Sequence, residues 1–181
     1  MDKAQEIALV ERCQHGDRKA MEVLVTDNEK PVYNAAYRML GNRDDAADVT
    51  QSAFMKAFEN IGAFDPAHRF FSWIYRITIN EAIDQLKRRT RMHKVDVELA
   101  SNEPAPHVQL NERQLSAELQ AALQTLSEDY RAVIVLHYFS DCDYRQISAT
   151  LNIPEKTVKS RLFSARQQLK QRLSNNGILS S

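Results

Sequence analysis

Apolar residues recur at helical spacing along most of the chain. Between residues 4 and 40, Ile7, Val10, Leu24, Val32, Ala36 and Leu40 form one periodic set, with breaks expected near Gly16 and near Pro31. Gly41 suits the end of that stretch, because helices commonly close on a left-handed residue and glycine adopts that backbone without a Cβ penalty. Asp44 and Asp45 then stand where the next helix presents its positive end. That helix places Ala47, Gln51, Phe54 and Phe58 on one stripe and ends around Asn60 to Gly62, leaving a loop up to Arg69. From Phe70 to Arg91 the pattern predicts one long helix with Trp73, Ile77, Ile83 and Leu86 on or near its apolar face.

Periodicity lapses from residue 92 to about residue 112, where Pro104 and Pro106 fall in an acidic stretch, and returns between Glu112 and Arg172. Strand signals are absent. The expected fold is therefore all-α: a first helical domain over residues 1–92, a flexible acidic linker over 93–111, a second small helical domain over 112–173 and a frayed tail over 174–181. A length of 181 residues accommodates two such domains.

Composition supports this reading, with only 4 glycines and 5 prolines. The longest apolar runs, such as Ala132 to Leu136, fall far short of the ~18 residues of a membrane span. Residues 1–12 are charged and lack the apolar core of a secretion signal, so a cytoplasmic location is expected. Cys13 and Cys142 lie far apart without the paired spacing of a zinc site. Each reads first as a buried or incidental thiol, with Cys13 and His15, or Cys142 and His137, as the alternative of a metal or redox sensor.

The net charge of zero conceals blocks. Lys plus Arg against Asp plus Glu is 8 against 12 over residues 1–68, 7 against 2 over 69–94, 1 against 5 over 95–118 and 8 against 5 over 119–181. The two basic blocks are the candidates for contact with a polyanion.

In the second of them the residues spell a helix-turn-helix. Asp143 caps a helix with Gln146 in the capping-box position, and that helix continues through Ile147, Ala149 and Leu151. Asn152, Ile153 and Pro154 form the turn, asparagine tolerating the left-handed backbone that a tight turn needs. The following helix begins near Glu155 and exposes Thr157, Lys159, Ser160 and Arg161, then Phe163, Ser164 and Arg166, with Val158 and Leu162 turned inward. Short hydroxyls and cations in the first turns suit the major groove of duplex DNA. A three-helix unit with an ordinary solvated face is the plainer alternative.

The first basic block carries aromatics (Phe70, Phe71, Trp73, Tyr75) among Arg76, Asn80, Lys87 and Arg88, a mixture that suits unpaired nucleic acid, where bases stack on rings and phosphates meet cations. For the rings alone, packing in the core is the better reading. Part of the cationic last turn also follows from the helix dipole.

Two strings then carry a family resemblance. Asp48 to Phe58 (DVTQSAFMKAF) and Phe70 to Asn80 (FFSWIYRITIN) resemble the second conserved domain of the extracytoplasmic-function sigma factors of the sigma-70 superfamily. Leu126 to Ile134 (LSEDYRAVI) and the helix-turn-helix through Arg166 resemble their fourth domain. The resemblance implies an alternative sigma factor that binds bacterial RNA polymerase core and directs initiation at particular promoters, in a stress or an envelope or metal response governed by an anti-sigma factor. The helix from Asp44 to Asn60 would dock on the polymerase through Asp45, Asp48, Gln51 and Ser52. Many relatives carry acidic residues at the positions of Ala47 and Ser52. Lys56, Phe64, Arg69, Trp73 and Asn80 would receive a flipped base of the minus-ten element, with Arg76, Lys87, Arg88 and Arg89 on phosphates. Thr157, Lys159, Ser160, Arg161, Phe163, Ser164 and Arg166 would read the minus-thirty-five duplex, Ser164 standing where relatives often have arginine. The anti-sigma partner, often membrane-anchored, would hold the protein at the inner membrane.

The residues include no nucleophile and base pair, metal cluster or phosphate loop, so neither catalysis, a small-molecule substrate nor a cofactor is expected. Two other classes remain open at this point: a dimeric operator-binding regulator using only the helix-turn-helix, and an anti-sigma or adaptor protein that binds only proteins.

Overall fold

The computed structural model describes residues 2–93 and 112–175; the expected linker, apart from its first residue, and residues 176–181 of the expected tail lie outside them. Among the described residues there are eight α-helices and no strand.

Helix α1 (Lys3–Gln14) opens on a reciprocal capping box between Asp2 and Gln5, and the chain turns at Gly16 with φ +81°. Asp17 caps α2 (Arg18–Leu40) by accepting from the amides of Lys19 and Ala20. The break expected at Pro31 does not occur, and α2 runs through it. Proline there removes one helical hydrogen bond, at a cost of ~3 kcal/mol. Leu24 before it and Val32, Ala36 and Met39 after it are all fully buried on one face, so the same core holds both halves in line. Tyr75 adds a hydrogen bond from its hydroxyl to the Pro31 carbonyl at 2.9 Å.

Gly41 ends α2 with φ 72°, as its position suggested. A Cβ there would also come within 2.8 Å of the Gln124 side chain, which would have to shift. Asn42 caps α3 (Arg43–Glu59) through the amides of Asp44 and Asp45. The buried face of α3 is Ala46, Val49, Thr50, Ala53, Phe54 and Ala57, rotated from the expected stripe: Ala47 and Gln51 are exposed. The small residues let α3 approach α2 and α4 together, which two long apolar side chains would prevent.

A short 3₁₀ turn (Ile61–Ala63) leads through the loop into α4 (Phe70–His93). Its most buried positions are Phe70, Ile74, Tyr75, Thr78, Ile79 and Ala82; of the expected apolar set Ile83 is buried as well, and Trp73, Ile77 and Leu86 border the core.

The second group comprises α5 (Glu112–Gln124), α6 (Glu128–Ile134), α7 (Tyr144–Leu151) and α8 (Glu155–Asn175), with a π-helical turn over Val135–Phe139 after α6. One continuous core runs through both groups, from Val10 to Leu169.

They meet at the C-terminal end of α2, where the last carbonyls of a helix lack intrahelical donors. Gln120 donates to the Tyr37 carbonyl at 3.0 Å, Gln124 to that of Arg38 at 3.0 Å, and Arg131 to that of Met39. The Arg38 guanidinium lies 4.1 Å from the centre of the Phe139 ring.

Candidate nucleic-acid interfaces

The helix-turn-helix is built as its residues dictate. Asp143 and Gln146 close a capping box at 2.7 and 2.8 Å, and Asn152 takes the left-handed conformation with φ 52°. The Ser148 hydroxyl donates to the Ile153 carbonyl at 2.6 Å, and the Pro154 carbonyl accepts from the amides of Thr157 and Val158. Along α8, Val158, Leu162, Ala165 and Leu169 are buried at helical spacing.

The outward face carries Lys159, Ser160, Phe163 and Arg166, all exposed, with Thr157 and Ser164 half-buried. Phe163 is 61% exposed, a large ring facing solvent amid polar neighbours. Lys159 lies 5.8 Å from the centre of the Tyr144 ring, which links the outward faces of α7 and α8. Arg161 differs from the rest: it is half-buried and pairs with Asp129 of α6 at 2.6 Å.

The second surface lies on α3, α4 and the loop between them. Arg76, Asn80, Lys87 and Arg88 are exposed on α4, and Arg76, Asn80 and Lys87 follow one another on a single stripe. Lys56 stands beside this stripe but pairs with Glu81, which also accepts from Ser52 at 3.3 Å. Arg89 pairs with Asp45, whose other oxygen accepts from Gln85 at 2.9 Å. Arg69 pairs with Glu6 at 2.8 Å.

Phe64 is buried and meets Phe70 and Trp73 in a three-ring cluster, with centroids 5.5 to 6.2 Å apart in tilted and edge-on geometry. Of the residues expected at the minus-ten pocket, the structure thus gathers Arg76, Asn80, Lys87 and Arg88 on open surface. It engages Lys56, Arg69 and Arg89 in ion pairs, and uses Phe64 and Trp73 to pack the loop.

On α3, Asp48 and Gln51 are exposed and Ser52 is half-buried; with Met55, Lys56 and Glu59 they line a shallow cleft of about 390 Å³. Beside it, Val25, Tyr33, Phe54, Met55 and Phe58 contribute to a more apolar groove of about 620 Å³ between α2 and α3. Met55 is 56% exposed at the border of the two.

Sequence reasoning passed over Glu6, Arg131, Gln120 and Gln124. Each is a polar residue whose partner lies at least 63 positions away, apart from the Arg131 contacts within its own helical group. Glu6 is only 4% exposed, and a buried carboxylate is the signal that the fold alone reveals.

Comparison with known proteins bears on both surfaces. The family model for Sigma-70 region 2 matches residues 24–92, and that for Sigma-70, region 4 matches residues 116–169. The chain is 32% identical to the ECF RNA polymerase sigma factor SigW of Bacillus subtilis, over 91% of this chain and 94% of that one. It is 35% identical to the ECF RNA polymerase sigma factor SigE of Mycolicibacterium smegmatis, over 89% of this chain and 65% of that one. Among solved structures it is similar to the sigma factor RpoE of Bartonella quintana, crystallised with the anti-sigma factor NepR. There the TM-score is 0.70 at 25% identity, covering 86% of this chain and 98% of that one.

Proposed function

This chain belongs to the extracytoplasmic-function RNA polymerase sigma factors of the sigma-70 family, and from that premise we propose how its surfaces divide the work of promoter-specific initiation. Residues 1–92 bind polymerase core and the minus-ten element, and residues 112–173 read the minus-thirty-five element, with 93–111 linking them. Core polymerase docks along the open edge of α3 at Asp48 and Gln51, with Ser52 at its margin. Asp45 acts one step removed, holding Arg89 and Gln85 of α4. Arg76, Asn80, Lys87 and Arg88 take the unpaired strand, cations on phosphates and the Asn80 amide toward a base.

The observation that carries the reading is the division of α8. One face is fully buried, while Lys159, Ser160, Phe163 and Arg166 stand outward on a helix that a capped, tightly turned neighbour holds in place. Cations there meet phosphates or guanine edges, and an exposed ring suits a thymine methyl group. Polymerase holds both readers at once, which raises the effective concentration of the second contact and makes promoter choice depend on two elements and their spacing.

Among the described residues no helix is long and apolar enough to cross a membrane. We place the protein in the cytoplasm with its polymerase, kept inactive until signalled by an anti-sigma factor anchored at the inner membrane. The solved relative's complex with an anti-sigma factor supports that partner class. The inducing signal belongs to stress, envelope or metal responses.

Transcription in vitro with purified polymerase core and pooled promoter fragments tests the reading. Initiation at a subset of promoters should need both core and this chain. Asn80→Ala should lower open-complex formation without weakening binding to the upstream duplex. Lys159→Ala should weaken that binding uniformly across sequences and reduce its salt slope by about 1. Lys159 is a cleaner probe than Arg161, whose ion pair with Asp129 also ties α8 to α6. Tight binding to operator duplexes without core, and no initiation, would instead identify a free-standing regulator.

A further inference from the structure

We propose that α1 positions the loop between α3 and α4 for reading the minus-ten strand, through Lys3, Glu6 and Gln14; the inference rests on the minus-ten role that the family resemblance gives to Phe64 and Arg69 of that loop, beside Asn80 of α4. The stretch of α1 lies before residue 24, where the match to Sigma-70 region 2 begins. Yet α1 grips both ends of the loop.

At one end Gln14 donates to the Ile61 carbonyl at 3.0 Å. At the other, Lys3 donates to the Ala67 carbonyl at 3.0 Å, and Glu6 accepts from the Arg69 guanidinium at 2.8 Å and from the Phe70 amide. Residues 3 and 14 stand ~16 Å apart along a helix of 1.5 Å rise, so a single rigid rod sets the separation of the loop's ends.

Glu6 is the centre of this arrangement. Its carboxylate is buried, which is costly unless donors surround it, and two do. The Phe70 amide is one of the first amides of α4 and lacks an intrahelical acceptor, so Glu6 acts as the cap of α4 from another helix and its charge complements the helix dipole. The same carboxylate fixes the Arg69 side chain at the loop's exit. The rod is itself secured: Val10 and Cys13 are in the core, and the Asp2–Gln5 capping box closes its start.

Within the loop, Asp65 bonds the amides of Ala67 and His68, the first through its carboxylate and the second through its carbonyl. Phe64 docks on Phe70 and Trp73. The segment therefore meets DNA already shaped, and base capture does not have to order it.

The test uses the full chain assembled with polymerase core. Binding is measured to single-stranded oligonucleotides carrying the minus-ten sequence with each of the four bases at the captured position. Glu6→Gln keeps an acceptor for the Phe70 amide and removes the charge that holds Arg69. Lys3→Met with Gln14→Ala releases the other two tethers at exposed positions, and serves if Glu6→Gln does not fold.

The expected result is that the preference for the best base over the worst falls roughly tenfold in Glu6→Gln, the scale of one good base contact, and in the same direction in the double variant. Affinity for the minus-thirty-five duplex should stay within twofold. Because the readout is a ratio among bases well below the melting temperature, a general loss of stability does not produce it. Wild-type ratios in both variants would overturn the positioning role while leaving the loop's function standing. A wild-type holoenzyme indifferent to the base would overturn the assigned function of the loop, and this inference with it.

Discussion

At the scale of single residues, burial decides the chemistry of the two thiols. Cys142 is pushed up to about 11, first by desolvation and then by the carboxylates of Asp143 and Asp141. Cys13 is raised as well, by burial first and by Asp17, against the opposing charge of Arg12. Both sulfurs are therefore neutral near pH 7, and thiolate reagents should react with them far more slowly in the native chain than in denaturant. The His137 ring lies 3.1 Å from the Cys142 carbonyl. Among the described residues no group of three or more His, Cys, Asp or Glu side chains could hold a metal ion.

The raised pKa also predicts a pH dependence. Above its unfolded value of 9.0 the unfolded Cys142 thiol releases its proton while the folded one keeps it. The stability it contributes is therefore fully present below about pH 9 and declines toward pH 11, by up to about 1.4 kcal/mol per pH unit. Urea unfolding at pH 8 and pH 10 measures this, and Cys142→Ala should flatten the slope. An unchanged slope in that variant would assign the loss to other groups.

At the scale of elements, the helix-turn-helix depends on two local devices. Asn152 holds φ 52°, where a β-branched residue is strained. Asn152→Val should cost about 1 to 2 kcal/mol, whereas Asn152→Gly should be nearly neutral. Asp143→Ala removes half of a capping box and should cost about 1 kcal/mol. Chemical denaturation of the three variants ranks them. Asn152→Val should also weaken duplex binding, because α8 leaves the turn at the angle that Asn152 sets. If Asn152→Val proved as stable as Asn152→Gly, the turn would not be constrained as described.

At the scale of the whole molecule, the two helical groups are held together by a buried cation. Arg131 is 6% exposed and faces carbonyl oxygens of Met39, Gln124 and Leu126 together with the Gln124 side chain, and burial lowers its pKa. Arg131→Met should destabilise the chain by about 2 to 3 kcal/mol, because those carbonyls stay buried without their donor.

The packed arrangement also limits reach. A compact chain of this length has a radius of gyration of about 16 Å. Under the proposed division of minus-ten and minus-thirty-five reading between the two groups, elements about 25 base pairs apart span roughly 85 Å at 3.4 Å per base pair, and both readers engage only once the groups part. Small-angle scattering should show a larger radius of gyration for Arg131→Met than for the parent chain. Equal radii would mean that other contacts, such as Arg38 on Phe139, hold the groups together.

Much of this architecture is local, and local chemistry is legible in one dimension. Gly41 and Asn152 mark left-handed positions, Asp143 and Gln146 a capping box, and Val158 and Leu162 an inward face, because backbone preference and helical period act between residues a few places apart. The family was likewise legible, as strings resembling the extracytoplasmic-function sigma factors. The misjudged features all have distant causes. Pro31 stays helical because the core spans it, and the buried face of α3 turns because it packs on both α2 and α4. Which of the expected contact residues stand open, such as Asn80 and Lys159, and which are engaged, such as Lys56 with Glu81, Arg89 with Asp45 and Arg161 with Asp129, is settled only when helices far apart in the chain come together. By itself the amino-acid order determined the helices, the turns and the family. Tertiary structure decided the loop's tethers to α1 and the Arg131 junction, because a polar side chain shows no periodicity that reveals a partner 47 to 92 residues away.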